Sequence, residues 1–161
     1  MEPLANGVAN GAARCVLGGP RHVLGIYSIY RVNVATGAVA YVTGGVGGAA
    51  RPTVSHGGSL LAFVRRTRFT DSLVLRDLLS GNERILYANL SKDQQEASAP
   101  SGVYPQFAFT PDDSAIVIWL RGQLYKIQVD TGSAAPLTVS VCGNLRRRPA
   151  AVPVTSSLWL A

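Results

Sequence analysis

One triplet in this chain, Asp130-Thr131-Gly132, has the residue types of paired-aspartate peptide hydrolysis. In that chemistry two strand-end aspartates share one proton across a water molecule, so a second Asp-Thr/Ser-Gly triplet is required. The chain has no second one, and the matching positions hold Ala35-Thr36-Gly37 and Leu79-Ser80-Gly81. We therefore predict that Asp130 is a hairpin residue. Only a homodimer could build a paired site from it.

A glycine-rich segment, residues 45–50, fits the G-x-G-x-x-A pattern of phosphate-binding loops. A phosphate site of this kind needs a helix to begin at the loop, because the helix amides and dipole meet the anion. Arg51-Pro52 and another strand follow instead. We predict a connecting loop between two structural units.

The histidines and Ser55 do not complete a catalytic or metal-binding set. A metal-dependent hydrolase needs several His ligands and a carboxylate, which His22 and His56 cannot supply. Ser55 and His56 are adjacent in sequence, whereas a nucleophile and its base meet in space and need a third orienting group. We predict no catalytic, metal-binding or cofactor-binding residue, and we expect His56 to lie on the surface.

The net charge of +6 comes mainly from arginines, which form two clusters. The clusters are Arg65, Arg66 and Arg68, expected in a hairpin loop, and Arg146, Arg147 and Arg148, expected in the tail. Such clusters could bind nucleic acid or another anionic surface. Aromatic residues hardly interleave with them, so we expect solvated charge and no nucleic-acid partner. Cys15 and Cys142 lack metal-ligand spacing and are expected to be spectators; their pairing stays open.

The elements that hold these residues are repeats. Residues 29–43, 73–87 and 124–138 match one another, and each runs through a strand into a Thr-Gly or Ser-Gly turn and a second strand. The turn glycines, Gly37, Gly81 and Gly132, supply the positive φ of a tight hairpin. Alternation predicts half-buried strands with equivalent inward positions. These positions are Tyr30/Val32/Val34, Val74/Leu78 and Tyr125/Ile127/Val129, with Arg76 in an apolar slot where it needs water or a carboxylate.

A second shared segment precedes two of the copies, at 53–64 and 108–119. Residues 110–114 read as a type I turn with Pro at its second position, and residues 55–59 fill the same positions with His and glycines. Dense apolar runs follow at 60–64 and 115–119, which predicts inner strands buried on both faces.

The order of a Ser/Thr-Pro-Asp turn, an apolar run, a strand, an x-Thr-Gly turn and a strand resembles the WD40-like blades of TolB-type β-propellers. Residues 103–137 are similar to the propellers that precede the metal-dependent barrel in TolB-type amidohydrolase fusions. Similar blades also precede prolyl-oligopeptidase-type hydrolases. The resemblance covers about residues 26–138, and His56, Gly57 and Asp113 depart from the turn motif.

These patterns predict an all-β chain, a partial β-propeller of about two and a half four-stranded antiparallel blades. We expect an irregular N-terminal arm at 1–25 and a tail or truncated linker at 140–161. The blades occupy 26–139, as a half blade at 26–43 and blades at 52–87 and 105–139. One helical turn is predicted at 92–97, after Ser91. The arm lacks the features of a signal peptide, and no stretch is long enough to span a bilayer.

Two functions follow from this organisation. Closed propellers have typically 4–8 blades, so about two and a half blades leave open edges. The first function is a non-catalytic fragment that serves as a protein-interaction or structural module, through a protein partner or self-association at the open blade edges. The alternative is the propeller part or remnant of a TolB-type amidohydrolase or prolyl-oligopeptidase-like hydrolase whose catalytic domain is absent from this chain. The compartment stays open.

Overall fold

The computed structural model describes residues 13–18, 27–93 and 102–140, and the side chains of the last two ranges. These residues form three antiparallel sheets and no helix. Sheet 1 has the order β1-β2-β3, with β1 Ala13–Gly18, β2 Ser28–Asn33 and β3 Val39–Thr43. Sheet 2 has the order β4-β5-β6-β7, with β4 Ala50–Val54, β5 Leu60–Thr67, β6 Thr70–Asp77 and β7 Glu83–Tyr87. Sheet 3 has the order β8-β9-β10-β11, with β8 Ala108–Phe109, β9 Ala115–Leu120, β10 Gln123–Gln128 and β11 Ala134–Leu137.

The last hairpin of every sheet is closed in the same way. Gly37, Gly81 and Gly132 have φ of 72°, 77° and 71°. The N–H of each donates to the carbonyl four residues earlier, at 2.8, 2.9 and 2.9 Å. The predicted glycine turns are confirmed at all three positions, since this left-handed backbone strongly favours glycine.

The turn that opens the central hairpins of sheets 2 and 3 is also repeated. Gly58 N–H donates to Ser55 O at 3.0 Å, and Asp113 N–H donates to Thr110 O at 2.9 Å. Both residues have positive φ, 70° and 55°. The hydroxyls of Ser55 and Thr110 accept from the amide that starts the next strand, each at 3.1 Å. The two segments are therefore equivalent units despite their different residues.

Two apolar cores join the three sheets in chain order. The first core lies between sheets 1 and 2, and its buried residues are Ile29, Ala49, Leu61, Phe63 and Val74. The second lies between sheets 2 and 3 and contains residues from both, among them Ala62, Val64, Leu73, Leu75, Ile116, Ile118 and Ile127. Sheet 2 is thus covered on both sides, as the apolar run at 60–64 predicted, whereas in the run at 115–119 Val117 and Trp119 are only partly buried. Strands β4 and β8, the first strands of sheets 2 and 3, contact each other.

The structure extends and corrects the predicted boundaries at the N-terminal end. Residues 13–18, predicted as part of an irregular arm, form β1 and pair with β2 from Ala13↔Asn33 to Gly18↔Ser28. Sheet 1 therefore has three strands where the repeat pattern predicted two. The prediction failed because β1 is defined by its pairing with β2 rather than by a turn motif of its own. The blade boundaries 52–87 and 105–139 are retained as a proposal.

Other predictions fall partly or wholly outside the described residues. These are the rest of the arm at 1–25, most of the helical turn at 92–97 and the tail from 141 onward. Residues 91–93 are not helical. The described part of the chain holds no helix that could cross a bilayer.

Candidate functional site: the end faces of the sheet stack

Asp130 and the glycine-rich segment 45–50, whose residue types suggested chemistry, lie in a hairpin and in a connecting loop. Asp130 is exposed in the β10–β11 hairpin, two residues before Gly132. The glycine-rich segment 45–50 connects β3 to β4, and its carbonyls accept hydrogen bonds from β5: Gly47 O from Arg66 N–H at 3.1 Å and Gly48 O from Arg65 Nε at 3.1 Å. A Cβ on Gly47 would lie 2.0 Å from Arg66 O, so glycine is required for this close approach. The loop therefore packs on sheet 2 through its carbonyls and starts a strand.

Ser55 and His56 do not form a nucleophile–base pair. Ser55 is buried, and its Oγ accepts from Leu60 N–H within its own turn. His56 is exposed, as predicted, and its Nδ1 lies 3.0 Å from Asp113 Oδ1 of sheet 3. The amides of His56 and Gly57 also donate to the Asp113 carboxylate, at 2.8 and 2.7 Å. We call this group, Asp113 with residues 56–57, the turn clasp.

The turn clasp shifts the acid–base behaviour of Asp113. Partial burial raises the pKa of Asp113, but the amides of Gly57 and His56 and the imidazole outweigh it, so the pKa lies below its usual value. The carboxylate therefore stays ionised at neutral pH and holds two consecutive sheets together.

The first arginine cluster is engaged within the fold. Arg65 and Arg66 lie in β5, and only Arg68 lies in the following turn, where φ is 60°. The prediction of a three-arginine hairpin loop is therefore wrong, because the strand extends to Thr67. Arg65 pairs with Glu83 at 2.6 Å, and Arg66 pairs with Asp93 at 2.7 Å. The second cluster, like His22 and Cys142, lies outside the described residues.

Glu83 is the centre of a polar network between sheets 1 and 2. Its carboxylate accepts from Thr43 Oγ1 of sheet 1 at 2.6 Å and pairs with Arg76 at 2.8 Å, in addition to Arg65. Burial raises the pKa of Glu83, but the hydrogen bonds from Thr43, Arg65 and Arg76 outweigh it, so the pKa lies below its usual value. The carboxylate that the Arg76 position required is therefore Glu83.

The repeat predicts which side of each sheet faces the next. We call the side toward the preceding sheet the front and the opposite side the back. Ile29, Leu73 and Leu124 are equivalent back positions in the three copies. The first two are 0% exposed within the inter-sheet cores, whereas Leu124 of sheet 3 is 40% exposed. Among the described residues, no sheet covers Leu124 in the way that its counterparts are covered.

The back face of sheet 3 carries several apolar side chains on adjacent strands. Strand register places Leu124 beside Trp119 of β9 and Leu137 of β11. Leu137 is 37% exposed, although its counterpart Leu86 in sheet 2 is buried against sheet 3. We call Val117, Trp119, Leu124 and Leu137 the back face of sheet 3; Lys126, which pairs with Val117, lies on the same side.

The front face of sheet 1 is also apolar and uncovered by any described sheet. Tyr30 pairs with Tyr41 and Val32 pairs with Val39, which puts all four on one side. The tyrosine rings pack edge to face, with centroids 5.6 Å apart. Val39 and Tyr41 are 63% and 60% exposed. These four residues define the front face.

Val34, predicted to point inward, continues the front side of sheet 1 but is exposed. Its counterparts Leu78 and Val129 pack into the inter-sheet cores. The position is equivalent, and the difference in exposure follows from the missing neighbour among the described residues. The described residues also contain no group of three or more His, Cys, Asp or Glu side chains that could hold a metal ion.

Comparison with solved structures identifies the architecture. A crystal structure of TolB from Acinetobacter baumannii matches with a TM-score of 0.59 and 20% identity, over 78% of this chain and 29% of that chain. A protein assigned as TolB from Agrobacterium tumefaciens matches with a TM-score of 0.61 and 18% identity, over 81% and 43%. The chain has a TolB-like β-propeller fold.

These two comparisons show a shared fold alone, because both sequence identities are low. The chain spans less than half the length of either TolB structure. No family model matches the sequence, and no curated protein matches it significantly.

The sequence did not reveal the turn clasp or the Glu83 network of this TolB-like fold. Both join residues far apart in sequence, such as His56 and Asp113 or Thr43 and Glu83. The end faces are the front face of sheet 1 and the back face of sheet 3. The sequence could predict them in part, because aligning the repeats already places Leu124 at the same position as Ile29 and Leu73. Their exposure could not be read from the alignment, since it depends on the order in which the sheets stack.

Proposed function

We propose that this chain is a non-catalytic β-propeller segment that serves as a protein-interaction module through its two end faces. The observation that carries the proposal is the exposure of Leu124, at a position that is fully buried in both other copies. An apolar sheet face that lacks its neighbour is a docking surface by the same hydrophobic effect that joins the sheets within the chain.

The composition of the two faces supports this role. Tyr30, Tyr41 and Trp119 supply large side chains with a polar end, which are enriched at protein interfaces. The inter-sheet contacts within the chain also join apolar side chains of facing sheets, such as Ile29 of sheet 1 and Val74 of sheet 2. A partner that presents an apolar sheet face would satisfy both surfaces.

The polar residues support a structural rather than a chemical role. Ser55, Asp113 and Glu83 are each committed to hydrogen bonds that shape a turn or join two sheets. A general base or nucleophile would need to reach a substrate from such a position, and these contacts occupy the atoms that would react.

Photo-crosslinking in the cell tests the proposal. Tyr41, Leu124 and Phe69 are replaced one at a time by p-benzoyl-phenylalanine. Phe69 is the control, because it is 83% exposed but lies in the β5–β6 turn, away from both end faces. We expect protein adducts at positions 41 and 124 and none at 69. Equal labelling at all three positions, or no adduct at the end faces, would contradict the proposal.

The alternative is that the chain is the propeller part or remnant of an amidohydrolase or oligopeptidase. It is supported by the sequence resemblance of residues 103–137 and by the short coverage of the TolB structures. Reading the gene beyond the codon for Ala161 tests it. A His-rich barrel or a serine-hydrolase domain in frame would support this alternative, and a stop codon followed by unrelated genes would remove it.

A further inference from the structure

We propose that the partner of the end faces is a second copy of this chain, with the front face of sheet 1 packed on the back face of the other copy's sheet 3. The inference rests on the proposed function, because it names the partner of the same two surfaces. It follows from what covers the equivalent faces inside the chain.

The inter-sheet contacts show what each face accepts. Val74, on the front side of sheet 2, is covered by the back side of sheet 1 through Ile29 and Val42. Ile127, on the front side of sheet 3, packs in a core with Leu73 and Leu86 from the back side of sheet 2. Every internal junction is thus front to back between repeated units. The only front and back sides left over among the described sheets are complementary in the same sense.

The hairpin glycines differ in what surrounds them. A Cβ on Gly132 of sheet 3 would lie 2.5 Å from Leu86 O of sheet 2, so this hairpin packs tightly on the preceding sheet. A Cβ on Gly37 of sheet 1 would meet nothing within 4 Å, and one on Gly81 of sheet 2 would meet only Arg76 of its own sheet. The close hairpin contact therefore belongs to the junction of sheets 2 and 3, and the apolar faces carry the inference.

The number of sheets favours two copies over any other number. Closed propellers have typically 4–8 sheets. One copy has three described sheets, which is too few to close. Two copies give six described sheets, within that range, and three copies give nine, outside it. A front-to-back contact that closes after two copies forms a ring, and the same contact without closure forms an open filament.

Sedimentation velocity and light scattering test the inference. We expect the 161-residue chain to form a species of about 34 kDa, twice the 17.0 kDa of one chain. Val39→Lys on the front face and Leu124→Lys on the back face should each weaken the dimer by about tenfold or more. Leu79→Lys is the matched control, because Leu79 is 80% exposed in the β6–β7 turn and lies on neither face. Circular dichroism confirms the fold, and Leu124→Ser replaces Leu124→Lys if the charged variant unfolds.

Mixing the two face variants distinguishes the geometry. Val39→Lys and Leu124→Lys together should recover a dimer, because one of the two contacts then joins an unsubstituted front face to an unsubstituted back face. A front-to-front or back-to-back dimer would instead survive one of the single substitutions, which would overturn the inference.

Other outcomes also overturn the inference without removing the proposed function. A folded monomer at every soluble concentration, or a ladder of species larger than the dimer, would exclude the closed pair. If crosslinks at positions 41 and 124 then join a different protein, the interaction module stands and its partner is not a second copy. If neither self-association nor end-face crosslinks occur, both proposals fail.

Discussion

Asp113 and Gly58 occupy the same position in two equivalent turns, but only Asp113 has a side chain that can bind a neighbouring turn. Both have the left-handed backbone, which Asp tolerates better than most residues and Gly adopts freely. The Asp113 carboxylate reaches residues 56–57 of the preceding turn. A Cβ on Gly57 would lie 3.3 Å from Asp113 Oδ2, so a small residue there keeps this contact short. One residue thus converts a repeated turn into a junction between sheets.

Asp113→Asn is expected to destabilise the chain by about 1 kcal/mol at neutral pH, because charge-assisted hydrogen bonds are lost at a partly solvated site. Asn keeps the left-handed backbone, so the substitution isolates the carboxylate. The pKa of Asp113 is depressed in the folded state, so its stabilisation is complete above the unfolded value of 3.8 and is lost as pH falls through the folded value. Urea unfolding as a function of pH measures the difference.

The control for this prediction is Asp130→Asn, which removes the same charge from an exposed hairpin. It should leave the free energy of unfolding nearly unchanged. Equal effects of the two variants at neutral pH would show that the turn clasp contributes nothing. A difference between wild type and Asp113→Asn that persists in acid would show that it does not arise from the carboxylate charge.

At the scale of elements, the hairpins were the most predictable feature and the junctions the least. The turn of Gly37, Gly81 and Gly132 depends on backbone conformation and on a hydrogen bond within five residues, so its residues carry the signal. The strand β1 exists because it pairs with β2, and no turn motif marks it. The turn clasp joins positions more than fifty residues apart, and repeats that predict each turn do not predict which turns meet.

The same glycine hairpin has different constraints in sheets 1 and 3, and substitution by alanine measures the difference. Gly37→Ala should cost about 1 kcal/mol, because φ is positive but space is open. Gly132→Ala carries the same backbone strain and also drives a Cβ into Leu86 O, so a cost of about 2–3 kcal/mol or more is expected. Thermal unfolding of monomeric samples checks the order. Equal costs would mean that sheets 2 and 3 separate more easily than their contact implies.

For the whole molecule, stability is distributed by stacking. Sheet 2 is covered on both sides, whereas sheets 1 and 3 each have one side that no described sheet covers. In a repeat architecture the stability of a unit is its own plus that of its neighbour contacts. The equivalent strands β2, β6 and β10 therefore differ mainly in how many neighbours they have. The stabilities of β2, β6 and β10 must be compared in a monomeric variant, because a second copy would supply the missing contacts.

In the Leu124→Lys variant, the amides of β6 should therefore have the slowest hydrogen exchange, and those of β2 and β10 should exchange faster by about tenfold or more. The reason is that local opening of an end sheet breaks one inter-sheet core, whereas opening of sheet 2 breaks two. In the wild-type chain at concentrations that form the dimer, β2 and β10 should slow toward β6, while β6 changes little. Protection that is equal in the three strands of the monomeric variant would contradict a stack held by its faces. Protection of β2 and β10 that ignores protein concentration would show that the end faces gain no cover from a second copy.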